Sequence, residues 1–144
     1  MKISISFWDT SSLVPLCCQQ ELSQQMRQLW RETRRVVVWW GTSVEVRSAI
    51  SRLQAEGKLT ASNVQSALER LESLREQWRE ITPSDKLRDI AETLPEIYGL
   101  RALDSFQLAA ALVWCNEKPK NRVFVCHDDK LKKAAQKAGF TIKT

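Results

Sequence analysis

Short β-branched runs alternate with longer amphipathic stretches along this chain. Ile3, Ile5 and Phe7 alternate with polar neighbours, which predicts a strand from Ile3 to Trp8. Thr10, Ser11 and Ser12 then supply turn and capping chemistry. Leu22, Met26 and Leu29 share one face of a polar stretch, predicting a helix from Leu22 to Arg34. Val36, Val37, Val38 and Trp39 form a continuous apolar run, as in a strand covered on both faces. The next helix is predicted from Thr42 to Glu56, with Val46, Ala49, Ile50 and Leu53 at helical spacing and Gly57 as its stop. Thr60 can cap a further helix bearing Val64, Leu68, Leu71, Leu74 and Trp78, so that the two make an antiparallel hairpin. A helix is expected from Asp85 to Tyr98, and a buried one from Leu103 to Cys115. Val123 to Cys126 reads as a strand, Leu131 to Ala138 as a lysine-bearing helix stopped by Gly139, and Phe140 to Ile142 as an edge strand.

This order is that of an α/β fold, for which parallel strands joined by right-handed crossovers are the economical topology. The chain has 144 residues, which suits one domain over 1–144, and no linker or repeat interrupts it. At 43% hydrophobic and 27% charged, it falls with ordinary globular proteins rather than disordered ones. No apolar run is long enough for a membrane span, and the stretch before Asp9 lacks the features of a signal peptide. The expectation is a cytoplasmic protein with no membrane partner. Cys17, Cys18, Cys115 and Cys126 contain no CxxC spacing, so they read as reduced core thiols rather than zinc ligands. The net charge of +5 makes a polyanion a reasonable partner, although a mildly basic surface also serves solubility.

In open parallel sheets, ligands bind outside the carboxyl ends of the strands. Four acids fall at such positions. Asp9 follows the first strand, Glu45 lies in the first turn after the second, Asp104 opens the buried helix, and Asp128 follows the strand ending at Cys126. Each also has a local explanation. Asp9 and Asp128 suit helix or turn caps, Thr42 and Glu45 match the capping box T-x-x-E, and Asp104 suits the positive end of a helix dipole. Taken together, four carboxylates in one cleft repel one another, and a divalent cation relieves that repulsion. All-oxygen ligands select Mg²⁺ or Mn²⁺, and such ions promote phosphodiester hydrolysis.

The segments FWDTSSLVPL (7–16), TSVEVRSAI (42–50), LRALDSFQLAAAL (100–112) and VFVCHDDKLKKAAQKAGF (123–140) resemble PIN-domain ribonucleases. Among these, the likeness is to VapC-type toxins of toxin–antitoxin pairs, and it spans nearly the whole chain. The resemblance implies a single PIN-like domain with a Rossmann-like parallel β-sheet and helices on both faces. It implies an Mg²⁺- or Mn²⁺-dependent endoribonuclease in which Asp9, Glu45, Asp104 and Asp128 bind metal and Ser11 hydrogen-bonds within the site. It further implies an RNA substrate, a cognate antitoxin docking on the hairpin from about Val44 to Trp78, and a homodimer. Cys126 stands where the family often has Ser or Thr two residues before its last Asp. Asp129 follows Asp128; Asp128 is chosen because it lies three residues before Leu131, with Asp129 as the fallback.

Other residues have two readings. His127, the sole histidine, borders the site but is not needed for metal-activated hydrolysis. Arg101, Arg47 and Arg52 either meet RNA phosphates or face water, and the same holds for Arg31, Arg34 and Arg35. Of the six tryptophans, Trp39 and Trp40 can stack on bases, but core or subunit-contact roles suit them better. A non-catalytic PIN-like scaffold binding RNA or protein is the alternative function, and it would usually have lost one or more of the acids. A receiver-like phosphotransfer domain does not fit the order of the acids or the position of a partner lysine.

Overall fold

The computed structural model describes residues 2–144. Its elements in chain order are β1 (Ile3–Trp8), α1 (Thr10–Cys17), α2 (Ser23–Glu32), β2 (Thr33–Trp39), α3 (Thr42–Ala55) and α4 (Ala61–Arg75). They continue with β3 (Trp78–Ile81), α5 (Asp85–Tyr98), α6 (Ala102–Trp114), β4 (Val123–Val125), α7 (Asp129–Ala138) and β5 (Thr141–Lys143). The strands form one sheet in the order β3-β2-β1-β4-β5, and every neighbouring pair is parallel. The expected α/β class and helix-covered parallel sheet are therefore present.

Strand alternation divides the core into two layers. Phe7, Val37, Trp39, Ile81 and Phe124 face α5, α6 and α7, where they meet Leu87, Leu94, Leu108 and Leu131. Trp8, Val36, Val38, Trp78 and Val125 face the other way and meet Leu13, Met26, Val46, Ile50 and Leu71 from α1 to α4. Arg47 near the start of α3 pairs with Glu72 near the end of α4 at 3.5 Å, which makes these two helices an antiparallel hairpin as expected. At the far end of the sheet, Gly139 closes α7 with φ at 119°, and a Cβ there would lie 2.9 Å from Pro119.

Four local expectations need correction. Trp78 does not extend α4; it opens β3, which pairs with Val36–Trp39. The backbone turns after Arg75, and the four-residue run Trp-Arg-Glu-Ile completes the sheet edge. Thr10, Ser11 and Ser12 are not a turn but the first turn of α1, with Pro15 inside that helix. The helix predicted to Arg34 ends at Glu32, because Thr33 and Arg34 already belong to β2. Finally, Thr42 does not cap α3. Gly41 holds the N-cap position, and Thr42 is buried within the first turn. The capping box in this hairpin belongs to Thr60 and Asn63.

β1 occupies the centre of the sheet. The chain leaves it towards β2 on one side and reaches β4 on the other, so the crevice between the carboxyl ends of β1 and β4 is the topological switch point.

Candidate active site

A cleft of about 300 Å³ opens at that switch point. Asp9, Glu45, Asp104 and Asp128 all line it, together with Thr10, Ser11, Arg52 and Gln107. Four elements thus bring together the four acids singled out from the sequence. Asp129 does not line the cleft; its side chain is 86% exposed and pairs with Lys132 at 3.7 Å.

Asp9 is the most enclosed acid. It caps α1, accepting from the Ser11 N–H at 3.3 Å. The Ser11 hydroxyl lies 2.8 and 2.9 Å from its two carboxylate oxygens. Ser11 Oγ in turn accepts from the His127 N–H at 2.9 Å, fastening the end of β4 to the start of α1. Burial pushes the Asp9 carboxyl from 3.8 up to about 7; the Ser11 bonds oppose this, and Asp128 adds to it. No cation is within ion-pair distance of Asp9 among the described residues.

Glu45 and Asp104 follow the same logic. Burial raises the Glu45 carboxyl, hydrogen bonds from Thr10 and Gln107 pull against it, and Asp104 raises it further. Burial also raises Asp104, reinforced by Asp128 and opposed by Lys130 and Arg101. Asp128 caps α7, accepting from the Leu131 N–H at 2.8 Å. Capping therefore holds for Asp9 and Asp128, but a cap uses only part of a carboxylate's acceptor capacity. The rest faces the cleft.

The donor set matches what a hard divalent cation takes. All four groups are oxygen donors, three are driven toward their neutral form by burial, and each of those three has another acid as a repulsive neighbour. That is the electrostatic condition a cation relieves. Among the described residues, however, no three Asp, Glu, His or Cys side chains converge closely enough to hold a metal by themselves. The set fits an ion such as Mg²⁺, which takes one or two carboxylates and keeps much of its water.

Three solved structures share this architecture. The chain aligns with a toxin–antitoxin complex from Klebsiella pneumoniae at a TM-score of 0.59 and 15% identity, over 85% of this chain and 86% of that one. It aligns with PAE2754 from Pyrobaculum aerophilum at 0.65 and 16% identity, over 99% and 90% of the two chains. It aligns with VapBC2 from Rickettsia felis, bound to a DNA fragment from their promoter, at 0.63 and 14% identity, over 96% and 97%. The chain shares the fold of these structures, a single α/β domain on a five-stranded parallel sheet, in keeping with the PIN-like domain expected from the sequence. No family model matches the sequence, and no curated protein matches it significantly.

Within this fold, Gln107 and the roles of Thr10 and Thr42 are features that the linear sequence does not announce. Gln107 is buried on α6, and its amide nitrogen lies 3.0 Å from Thr42 Oγ1, 3.1 Å from Thr10 Oγ1 and 3.3 Å from Glu45 Oε2. The Thr10 hydroxyl donates to the other Glu45 oxygen at 3.0 Å. The available signal was a single amide, three residues after Asp104, in an otherwise apolar stretch. His127 turns away from the cleft; its Nε2 lies 3.2 Å from Met26 Sδ, and burial lowers its pKa. Arg52 lines the cleft, whereas Arg47 is committed to Glu72 on α4. Cys126 is buried beside Ser11, with Sγ 4.0 Å from its hydroxyl, and burial pushes the thiol up. Trp8, Trp39 and Trp78 are core residues, and Trp39 stacks on Phe106. Trp40 is exposed beside Val44 and Leu103, lining an apolar groove that adjoins the acid cleft through Thr10, Glu45, Ala49 and Arg52.

Proposed function

We propose that this chain is a divalent-cation-dependent endoribonuclease and the toxin of a toxin–antitoxin pair. The observation that carries the reading is the convergence of Asp9, Glu45, Asp104 and Asp128, from four separate elements, on one cleft at the sheet's switch point. Structural stability alone does not call for buried acids that repel one another. The PIN fold, shared with two toxin–antitoxin structures, supports the toxin assignment.

In this reading Asp9, Glu45, Asp104 and Asp128 hold Mg²⁺ or Mn²⁺, directly or through water. When bound, the ion supplies an activated water and stabilises charge on the phosphate. Asp9 gives up its proton on binding, and Ser11 keeps its carboxylate oriented through the hydroxyl hydrogen bond. Thr10 and Gln107 hold Glu45. Arg52 at the cleft wall meets an RNA phosphate. The exposed Trp40, Val44 and Leu103 offer an apolar surface for the second copy of a homodimer, and the α3–α4 hairpin is the docking element for the antitoxin.

The test is incubation of the purified chain with RNA, with and without Mg²⁺ or Mn²⁺, beside Asp9→Asn and Asp104→Asn. Cation-dependent cleavage lost in both variants is expected. Cleavage that survives EDTA and both substitutions refutes the mechanism. An inert chain that still binds RNA and takes up no cation favours the non-catalytic scaffold.

A further inference from the structure

Each of three acids has a polar companion on its own element. Thr10 adjoins Asp9, Thr42 precedes Glu45 by one turn of α3, and Gln107 follows Asp104 by one turn of α6. These three companions meet at one point, the Gln107 amide nitrogen. Gln107 and Thr42 are buried, so these bonds form away from competing water.

From this junction we infer that Gln107 is a positioning residue that sets the spacing of Asp9, Glu45 and Asp104, and through it the affinity of the cleft for a divalent cation. The inference rests on the proposed metal-dependent function. An amide nitrogen carries two hydrogens. Three acceptors therefore share them, and the Glu45 oxygen is the longest of the three at 3.3 Å. Thr10 closes the circuit: it lies within reach of Gln107 and donates its own hydrogen to Glu45. Both Glu45 oxygens are thus tied down, one by each partner, leaving their remaining lone pairs for the cleft.

The orientation of the amide is fixed by chemistry. With the oxygen turned toward Glu45, two acceptors would face each other across 3.3 Å. The observed orientation leaves Gln107 Oε1 buried without a partner among the described residues. An unmatched buried acceptor destabilises the fold. A residue chosen for packing alone would avoid that cost, since leucine has a similar volume and no polar atoms. Support of this kind behind ligating carboxylates is worth about 10- to 100-fold in metal affinity or activity.

The experiment compares wild type with Gln107→Leu and Thr42→Val. Free Mn²⁺ is titrated by electron paramagnetic resonance, folding is checked by circular dichroism, and kcat and KM are measured on RNA. Gln107→Leu is expected to weaken Mn²⁺ binding at least tenfold and lower kcat while leaving KM for RNA near its wild-type value. Thr42→Val, which keeps the shape and removes one anchor of the amide, is expected to shift Mn²⁺ affinity less and in the same direction. Wild-type Mn²⁺ affinity in both folded variants overturns the inference alone. A wild-type chain that takes up no Mn²⁺ overturns the parent reading and this inference with it.

Discussion

Replacing Asp9 by Asn should stabilise the cation-free protein while abolishing its chemistry. Asp9 is 4% exposed, and its carboxyl titrates near 7 in the fold against 3.8 for the ordinary group. The raised value means that the folded state holds a proton the unfolded chain has already lost. Stability from this group is therefore complete below about pH 4 and falls as pH rises to about 7. At pH 8 the folded protein must carry a buried, unpaired charge that costs about 4 kcal/mol relative to a neutral side chain. At pH 5 the corresponding difference is about 1.5 kcal/mol. Asn removes the charge, is as good an N-cap as Asp, and keeps an acceptor for the Ser11 bonds. Urea unfolding in EDTA at both pH values measures the effect. Asp9→Asn should gain clearly more at pH 8 than at pH 5, with a rise in Tm of about 10 °C at the higher pH. A loss of stability at pH 8, or a gain independent of pH, refutes the argument that burial of Asp9 is an electrostatic burden relieved by a cation.

Other expectations follow from the same geometry. Ser11→Ala orphans the His127 N–H and removes the hydroxyl from Asp9, so it should cost about 1–3 kcal/mol in denaturant unfolding and raise the Asp9 titration point, seen by carboxyl NMR. Asp128→Asn should lower RNA cleavage at least 100-fold while keeping the α7 cap, whereas Asp129→Asn should leave it near wild type; the opposite ranking would make Asp129 the fourth acid. Arg52→Ala, placed in a cleavage-dead Asp104→Asn background, should weaken RNA binding and reduce the slope of log affinity against log salt by about 1, and an unchanged slope would remove Arg52 from the phosphate path.

Much of this was legible from residue order. Alternating Ile3, Ile5 and Phe7 marked β1, and the helix expected from Asp85 to Tyr98 is α5. Asp9, Glu45 and Asp128 were found because a parallel sheet gathers whatever follows its strands at one edge, and Asp104 because it opens a helix. The misses have physical causes. β3 is four residues long and follows α4 without a glycine or proline, so Trp78 continued the apolar stripe of that helix on paper. α1 opens on three hydroxyl residues and contains Pro15, all of which read as turn chemistry. The pair Thr42 and Glu45 matched a capping box by spacing, but Thr42 is one residue inside the helix and faces Gln107 instead. Which groups meet Gln107 depends on how the sheet brings the starts of α1 and α3 within hydrogen-bond reach of α6, and no local pattern encodes that.

The central claim is that the four acids form a divalent-cation site. Calorimetric titration of Mn²⁺ into the metal-free chain at pH 7 tests it without assuming any RNA target. Saturable binding is predicted, with protons released because burial keeps Asp9 partly protonated near that pH, and with binding lost in the Asp9→Asn, Asp104→Asn double variant. No heat of binding in the wild type, or equal binding by the double variant, would contradict it.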